Sequence, residues 1–239
     1  VALARALVFS PPLILMDEPL GALDRQLREQ LQIEIKHIHA QLGITLVYVT
    51  HDQSEAMALS DVVVVMKDGR VEQAGPPDEV YRRPMTRFVA DFIGRANFLD
   101  GEVLSSGEGE AEISIQGQPT RVPAAATLRP GSSATVVVRP ESVRIGSGEL
   151  RAKVGRSTFL GPLVEYELML GDEVLLAVDP DWMGKSLHQP GDEVAWSLRP
   201  EQAYALPPSA ADETAPEDPE AAQPAAEAPE PNSLSNSSR

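Results

Sequence analysis

The chain contains no cysteine in its 239 residues, so neither a disulfide framework nor a thiolate metal site can form, and nothing in it requires an oxidising compartment. Positive charge is scarce. Twenty Lys and Arg stand against 36 Asp and Glu, and the net charge of -16 argues against a nucleic-acid backbone or an anionic lipid surface as partner. Aromatic residues make up only 5% of the chain, and no basic stripe interleaves with them. Long hydrophobic runs are missing too. The longest, residues 13–16 and 62–66, are far too short to span a bilayer, and no signal peptide is visible, so work at a membrane would need another subunit to hold the chain there. A phosphate-binding Gly-x-x-x-x-Gly-Lys-[Ser/Thr] loop is also absent. Gly184-Lys185-Ser186 has the right ending, but Asp179 stands where the first glycine is required.

What is present is organised around residues 13–24, LILMDEPLGALD. The apolar run at 13–16 has no alternation, which predicts a strand buried on both faces of a parallel sheet. Asp17 and Glu18 sit at its end, before Pro19. Adjacent carboxylates there are costly to desolvate, and a cation with a polarised water is the usual compensation, although a solvated acidic turn gives the same pattern. Residues 25–42 carry Leu27, Leu31, Ile35, Ile38 and Leu42, the stripe of an amphipathic helix, with Asp24 able to cap its start and Gly43 its end. His37 and His39 lie two residues apart on this helix, so they diverge and cannot share a metal. Residues 44–50 (ITLVYVT) read as a second buried strand that ends at His51. Strand, helix, strand is the order of a right-handed crossover, which brings Asp17, Glu18 and His51 to one edge of a parallel sheet. A helix over 53–60, a hairpin over 61–74 turning at Asp68-Gly69, and helices opening near Pro77 and Thr86 follow; the last places Phe88, Val89, Phe92 and Ile93 on one face.

These motifs resemble ABC-type importer ATPases. Asp17-Glu18 resembles the Walker B acids, Gly21-Ala22-Leu23-Asp24 the D-loop, and Thr50-His51-Asp52-Gln53-Ser54-Glu55-Ala56 the switch-histidine segment of that family. The opening VALARAL is similar to the family's helix after its signature motif, and KDGRVEQAGPPDEVYRRP with TRFVADFIG to the close of its nucleotide-binding domain. The resemblance implies ATP and Mg²⁺ as cofactors, with Asp17 holding Mg²⁺ directly or through water. Glu18 would be the general base or orient the attacking water, His51 would contact the γ-phosphate, and Asp24 would link two sites across a homodimer. It further implies membrane permease subunits, a solute-binding protein acting through them, and a cytoplasmic position on the inner face of the membrane. RFVADFIGRANFL leans towards importers of polyamines, ferric iron or phosphonate-type solutes. Beginning at Val1, without the phosphate loop or the signature motif, the chain is expected to be an N-terminally truncated piece, inactive alone.

From Asn97 on, short β-like segments broken by Gly and Pro replace the helical stripes. Pro130-Gly131 leads to VVVRPE ending at Glu141, and Pro190-Gly191 leads to WSLRPE ending at Glu201, at equal spacing. Such a repeat predicts either two similar small barrels or one composite barrel with strands exchanged between halves. It resembles the oligomer-binding-like TOBE domain of the same importers, which supports dimerisation and sometimes binds regulators; a bare spacer is the plainer alternative. Trp182, Trp196 and Tyr204 read as core and rim residues, and His188 as a loop residue. From residue 207 the chain is Ala, Pro, Ser and acid, with seven Asp or Glu against one Arg, a composition that predicts a disordered tail. The expected organisation is thus α/β over 1–95, the C-terminal part of a P-loop ABC ATPase domain, all-β over 97–206, and a tail over 207–239. The alternative is a non-catalytic dimerisation or regulatory module. An ABC ATPase acting on nucleic acid is disfavoured by the acidic balance.

Overall fold

The structure is a computed structural model that describes residues 11–208. The helix expected over the first eight residues and the tail from residue 209 on lie outside the described residues.

β1 (Leu13–Asp17) and β2 (Thr45–Val49) pair in parallel, Leu13 opposite Thr45 and Asp17 opposite Val49. Parallel neighbours need a long crossover, and α1 (Arg25–Leu42) supplies it. The Asp24 carboxylate accepts from the Leu27 N–H at the start of α1; Gly43, at φ 60, closes its end with an N–H to the His39 carbonyl.

The burial of these strands differs from expectation. Ile14 and Met16 are buried, but Leu13 and Leu15 point to solvent, Leu15 with 72% of its surface exposed, and Val47 and Val49 on β2 do the same. A parallel strand is buried on both faces only when layers cover both. Among the described residues one face of this pair is covered and the other is open.

β3 (Val63–Lys67) and β4 (Arg70–Gly75) form a separate antiparallel hairpin, turning through Asp68 and Gly69 at φ 50 and 75. With α2 (Gln53–Leu59), α3 (Pro77–Arg82) and α4 (Arg87–Ile93) they complete the α/β part. Its small core joins Val63, Val65, Val80, Val89 and Ile93. The inner face of α4 is Val89, Ala90 and Ile93, whereas Phe88 and Phe92 stack on each other at the rim, with Phe92 exposed.

The remaining strands are β5 (Asn97–Gly107), β6 (Glu110–Ile115), β7 (Gln118–Pro123), β8 (Ser133–Val138), β9 (Val143–Phe159), β10 (Val164–Leu170), β11 (Glu173–Asp179), β12 (Glu193–Leu198) and β13 (Ala203–Leu206). One sheet runs β13-β8-β5-β6-β7, and the Ala125 N–H to the Ala205 carbonyl closes it towards a barrel. The other runs β11-β10-β9-β12. The repeat is built with exchanged strands. After the first Arg-Pro-Glu the chain enters β9, whose start pairs with β12 of the second copy; after the second it enters β13, which pairs with β8 of the first. A single apolar core, with Trp196 and Tyr166 fully enclosed, therefore runs through both sheets.

Two polar side chains tie the parts together. Arg139, 4% exposed, donates to the carbonyls of Ala90, Gly94 and Arg95 at 2.8, 2.8 and 3.2 Å and to that of Tyr81 at 3.2 Å, while its guanidinium lies 4.1 Å from the Tyr81 ring centre. The Tyr81 hydroxyl donates to Glu141 at 2.6 Å, and burial together with that bond pushes the phenol up to about 12. Asn97, 5% exposed, acts as an extra rung on the free edge of β11: its amide accepts from the Leu176 N–H at 2.7 Å and donates to the carbonyls of Leu176 and Val138 at 2.9 and 3.1 Å. Asn97→Leu strands those buried groups, so urea unfolding is expected to show a loss of about 2–3 kcal/mol.

Candidate functional site

The site forms where β1 and β2 end. In-register pairing sets Asp17 opposite Val49, and the Glu18 N–H donates to the Val49 carbonyl at 2.9 Å, one rung further. His51 follows two residues later, and its Nδ1 lies 3.0 Å from Glu18 Oε1. Both side chains are open, His51 74% and Glu18 53% exposed. The desolvated acid pair read from the sequence is therefore not what the described residues form, because the uncovered face leaves the strand end in solvent. Asp17 is exposed and has no hydrogen-bond or ionic partner among the described residues. Asp24 is spent on capping α1.

Glu18 has φ 42. The other non-glycine residues at positive φ among the described residues, Asp68, Glu108 and Gln116, each precede a glycine in a hairpin turn, where the left-handed region is ordinary. Glu18 instead precedes Pro19, which favours an extended conformation in the residue before it. The turn is held by buried Leu20 and by the Gly21 N–H to the Glu18 carbonyl at 3.2 Å. Backbone strain is thus concentrated on the carboxylate that faces His51.

Behind the exposed pair lies a buried polar network. Glu55 is 2% exposed, and one of its oxygens accepts from the Tyr48 hydroxyl at 2.8 Å and the Thr50 hydroxyl at 2.9 Å. Thr50 Oγ1 also accepts from the Asp52 N–H at 3.0 Å, so both neighbours of His51 are pinned. Burial, then the bond to Glu55, raises the Tyr48 phenol above its ordinary range. Arg28 joins this turn to the loop after β1: it donates to Asp52 at 2.9 Å and to the Leu23 carbonyl at 3.1 Å, and its Nε lies 3.6 Å from Glu55. Reading the sequence assigned no role to Arg28. The available signal was an arginine one helical turn after a capping aspartate; the partner of that arginine, 24 residues on, was not legible.

The comparisons bear on this geometry. A family model described as the TOBE domain matches residues 136–206. An Fe(3+) ions import ATP-binding protein, FbpC, of Brucella abortus (strain 2308) is 44% identical over 75% of this chain and 51% of its own length. The spermidine/putrescine import ATP-binding proteins PotA of Thermobifida fusca (strain YX) and Rubrobacter xylanophilus (strain DSM 9941) are 40% and 42% identical over 87% and 86% of the chain, and 56% and 54% of their own lengths. The chain is similar to import ATP-binding subunits over three quarters or more of its length. It carries a TOBE domain and spans about half the length of the curated relatives it matches. Among solved structures, the cytoplasmic molybdate-binding protein ModG matches 47% of the chain and 96% of its own at 17% identity, with a TM-score of 0.37, a likeness too loose to carry further. No helix among the described residues is long and apolar enough to cross a membrane.

Two outcomes follow for this site. Arg28→Met leaves Glu55 buried without its cation, and urea unfolding is expected to show a loss of about 2 kcal/mol or more. The Asp52 carboxyl is held below its ordinary value by the Ser54 hydroxyl, with the Glu55 and Ser54 N–H groups and Arg28 adding to it and partial burial opposing. A depressed carboxyl stabilises the fold above its unfolded pKa, about 3.9, and that stability is lost as pH falls through the lower folded value. Unfolding curves across pH 2–5 are therefore expected to show an acid-side loss that shrinks in Asp52→Asn.

Proposed function

We propose that the chain is the ATP-hydrolysing subunit of an ABC importer, seen here over its Walker B half and TOBE domain, and that it works as a homodimer driving membrane permease subunits served by a solute-binding protein. The observation that carries the reading is the Glu18–His51 pair at 3.0 Å, at the end of two in-register parallel strands, with strained backbone at the acid. The open apolar face of β1 and β2 supports it further, since it offers a surface for the phosphate-binding half of a larger sheet. Residues 1–95 would belong to that P-loop α/β domain and 97–206 to the oligomer-binding-like β domain. Position at the cytoplasmic face would come from the permease. Relatives named for ferric iron and for spermidine and putrescine support a solute of one of those classes.

The residues fit the cofactors this role requires. Mg²⁺ takes oxygen ligands, commonly one or two carboxylates together with substrate phosphates and water. Asp17, exposed and unpartnered at the strand end, suits that share of a site completed by ATP, and the metal would neutralise phosphate charge there. Glu18 accepts a proton from, or orients, the water that attacks the terminal phosphate. His51 donates towards the same phosphate, and its turn is held in place by Thr50, Asp52 and Glu55. Asp24, in the loop tied by Arg28 to that turn, would face the partner subunit.

In a chain joined to a half that supplies the phosphate-binding loop and signature motif, Glu18→Gln is expected to lower ATP turnover by about 100-fold or more while ATP-dependent dimers persist on gel filtration. Normal turnover in that variant would remove Glu18 from its role. Residues 1–239 alone are expected to be inactive in the same assay, and hydrolysis by them would contradict the need for a separate phosphate loop.

A further inference from the structure

The internal repeat supplies two Arg-Pro-Glu turns, and the molecule does not use them alike. In the first, Arg139 grips the last carbonyls of α4 and stacks on Tyr81, and Glu141 accepts from that tyrosine. In the second, Arg199-Pro200-Glu201 follows β12 as the first follows β8, opens the same single 3₁₀ turn, and packs against β7 as the first packs against β11. Yet the Arg199 side chain has no hydrogen bond, ion pair or ring partner among the described residues, and its Nε, like that of Arg139, is buried without an acceptor. Glu201 is exposed and equally unpaired. A buried donor left unmade is a cost that a fold normally avoids.

Two grooves lie on the β part, and only the second is lined by a residue of an Arg-Pro-Glu turn. The first, of about 330 Å³ between β5 and the β10–β11 hairpin, is completed by Arg87, the first residue of α4, and by Ala96 beyond its end. The second, of about 380 Å³ between β9 and the β6–β7 hairpin, is walled by strands and the turn alone, with Pro119, Leu150, Leu198 and Pro200 as its accessible apolar lining. Where Arg139 of the first copy holds a helix end, Arg199 of the second holds nothing among the described residues.

We propose that the second Arg-Pro-Glu turn is a docking site for the C-terminal end of an α-helix on another protein. Arg199 takes the free carbonyls of the helix's last turn, the groove takes its apolar side, and Glu201 accepts from a phenol or another side-chain donor. The last four carbonyls of any helix are unpaired within it, so they are the ready acceptors for a guanidinium fork. Charge does not single out an acidic ligand, because Glu149 and Arg121 both line the groove and Glu201 stands beside Arg199. A second copy of this chain is a poor occupant, since the matching end of its α4 is held by its own Arg139.

The test uses the ¹⁵N-labelled 239-residue chain and, as probe, a synthetic peptide of residues 76–96, the segment that the first turn grips. The peptide is used in linear form and with a side-chain staple between positions 87 and 91. Titration is expected to give saturable NMR shifts confined to residues 115–121 and 196–202, with affinity about tenfold weaker in Arg199→Met. Glu201→Ala, at an exposed position that leaves folding intact, is expected to weaken binding about threefold. Failure of both peptide forms to bind, or binding unchanged in Arg199→Met and Glu201→Ala, would overturn the proposal. So would Arg199-dependent dimerisation seen by sedimentation without peptide, which would assign the turn to self-association.

Discussion

The parallel, in-register pairing of β1 with β2 is the constraint on which the candidate site depends. A shift of one residue would turn Ile14 and Met16 outwards and carry the end of β1 away from the turn that bears His51. The pairing continues one rung past the strand, through the Glu18 N–H, into a residue whose positive φ before proline is held by the turn that follows. Register, ladder and strain together deliver a carboxylate to an imidazole. No element of the site is long, and each is fixed by something other than its own propensity.

The turn carrying His51 is held from behind by a carboxylate that sees almost no water. Burying Glu55 is expensive unless its charge is met, and the Tyr48 and Thr50 hydroxyls donate to one of its oxygens while the Arg28 guanidinium stands 3.6 Å from the other. Arg28 extends that stiffness to the Leu23 carbonyl, so the loops carrying Asp24 and His51 share one anchor. The exposed Glu18–His51 pair thus stands over a buried, hydrogen-bonded carboxylate that keeps the backbone of the turn still.

In the β part, strand exchange makes the two halves of the repeat inseparable. Because β9 and β13 each complete the other half's sheet, neither half buries its core alone, and the shared apolar cluster is the result. Asn97 and Arg139 then fasten this unit through main-chain carbonyls and one amide. Polar side chains that bond to backbone at a junction hold it through geometry, which apolar packing alone does less sharply.

Several features were legible in the sequence because they are local. The Asp24 cap, the Gly43 stop, the Asp68-Gly69 turn and the order of strand, helix and strand are each set by a few adjacent residues. The meeting of Glu18 and His51 could be foreseen from that order, since a crossover returns the second strand to the same edge. The repeat announced related strands, and its spacing alone left open whether they pair within or between halves. Tertiary structure decided that, together with the open face of β1 and β2, the partner of Arg28 and the unequal fates of Arg139 and Arg199. The physical reason is the same in each case. A run of apolar residues states that a surface can be buried, and a charged residue that it needs a partner, but what covers the one and meets the other is fixed by segments tens of residues away, brought together only when the chain folds.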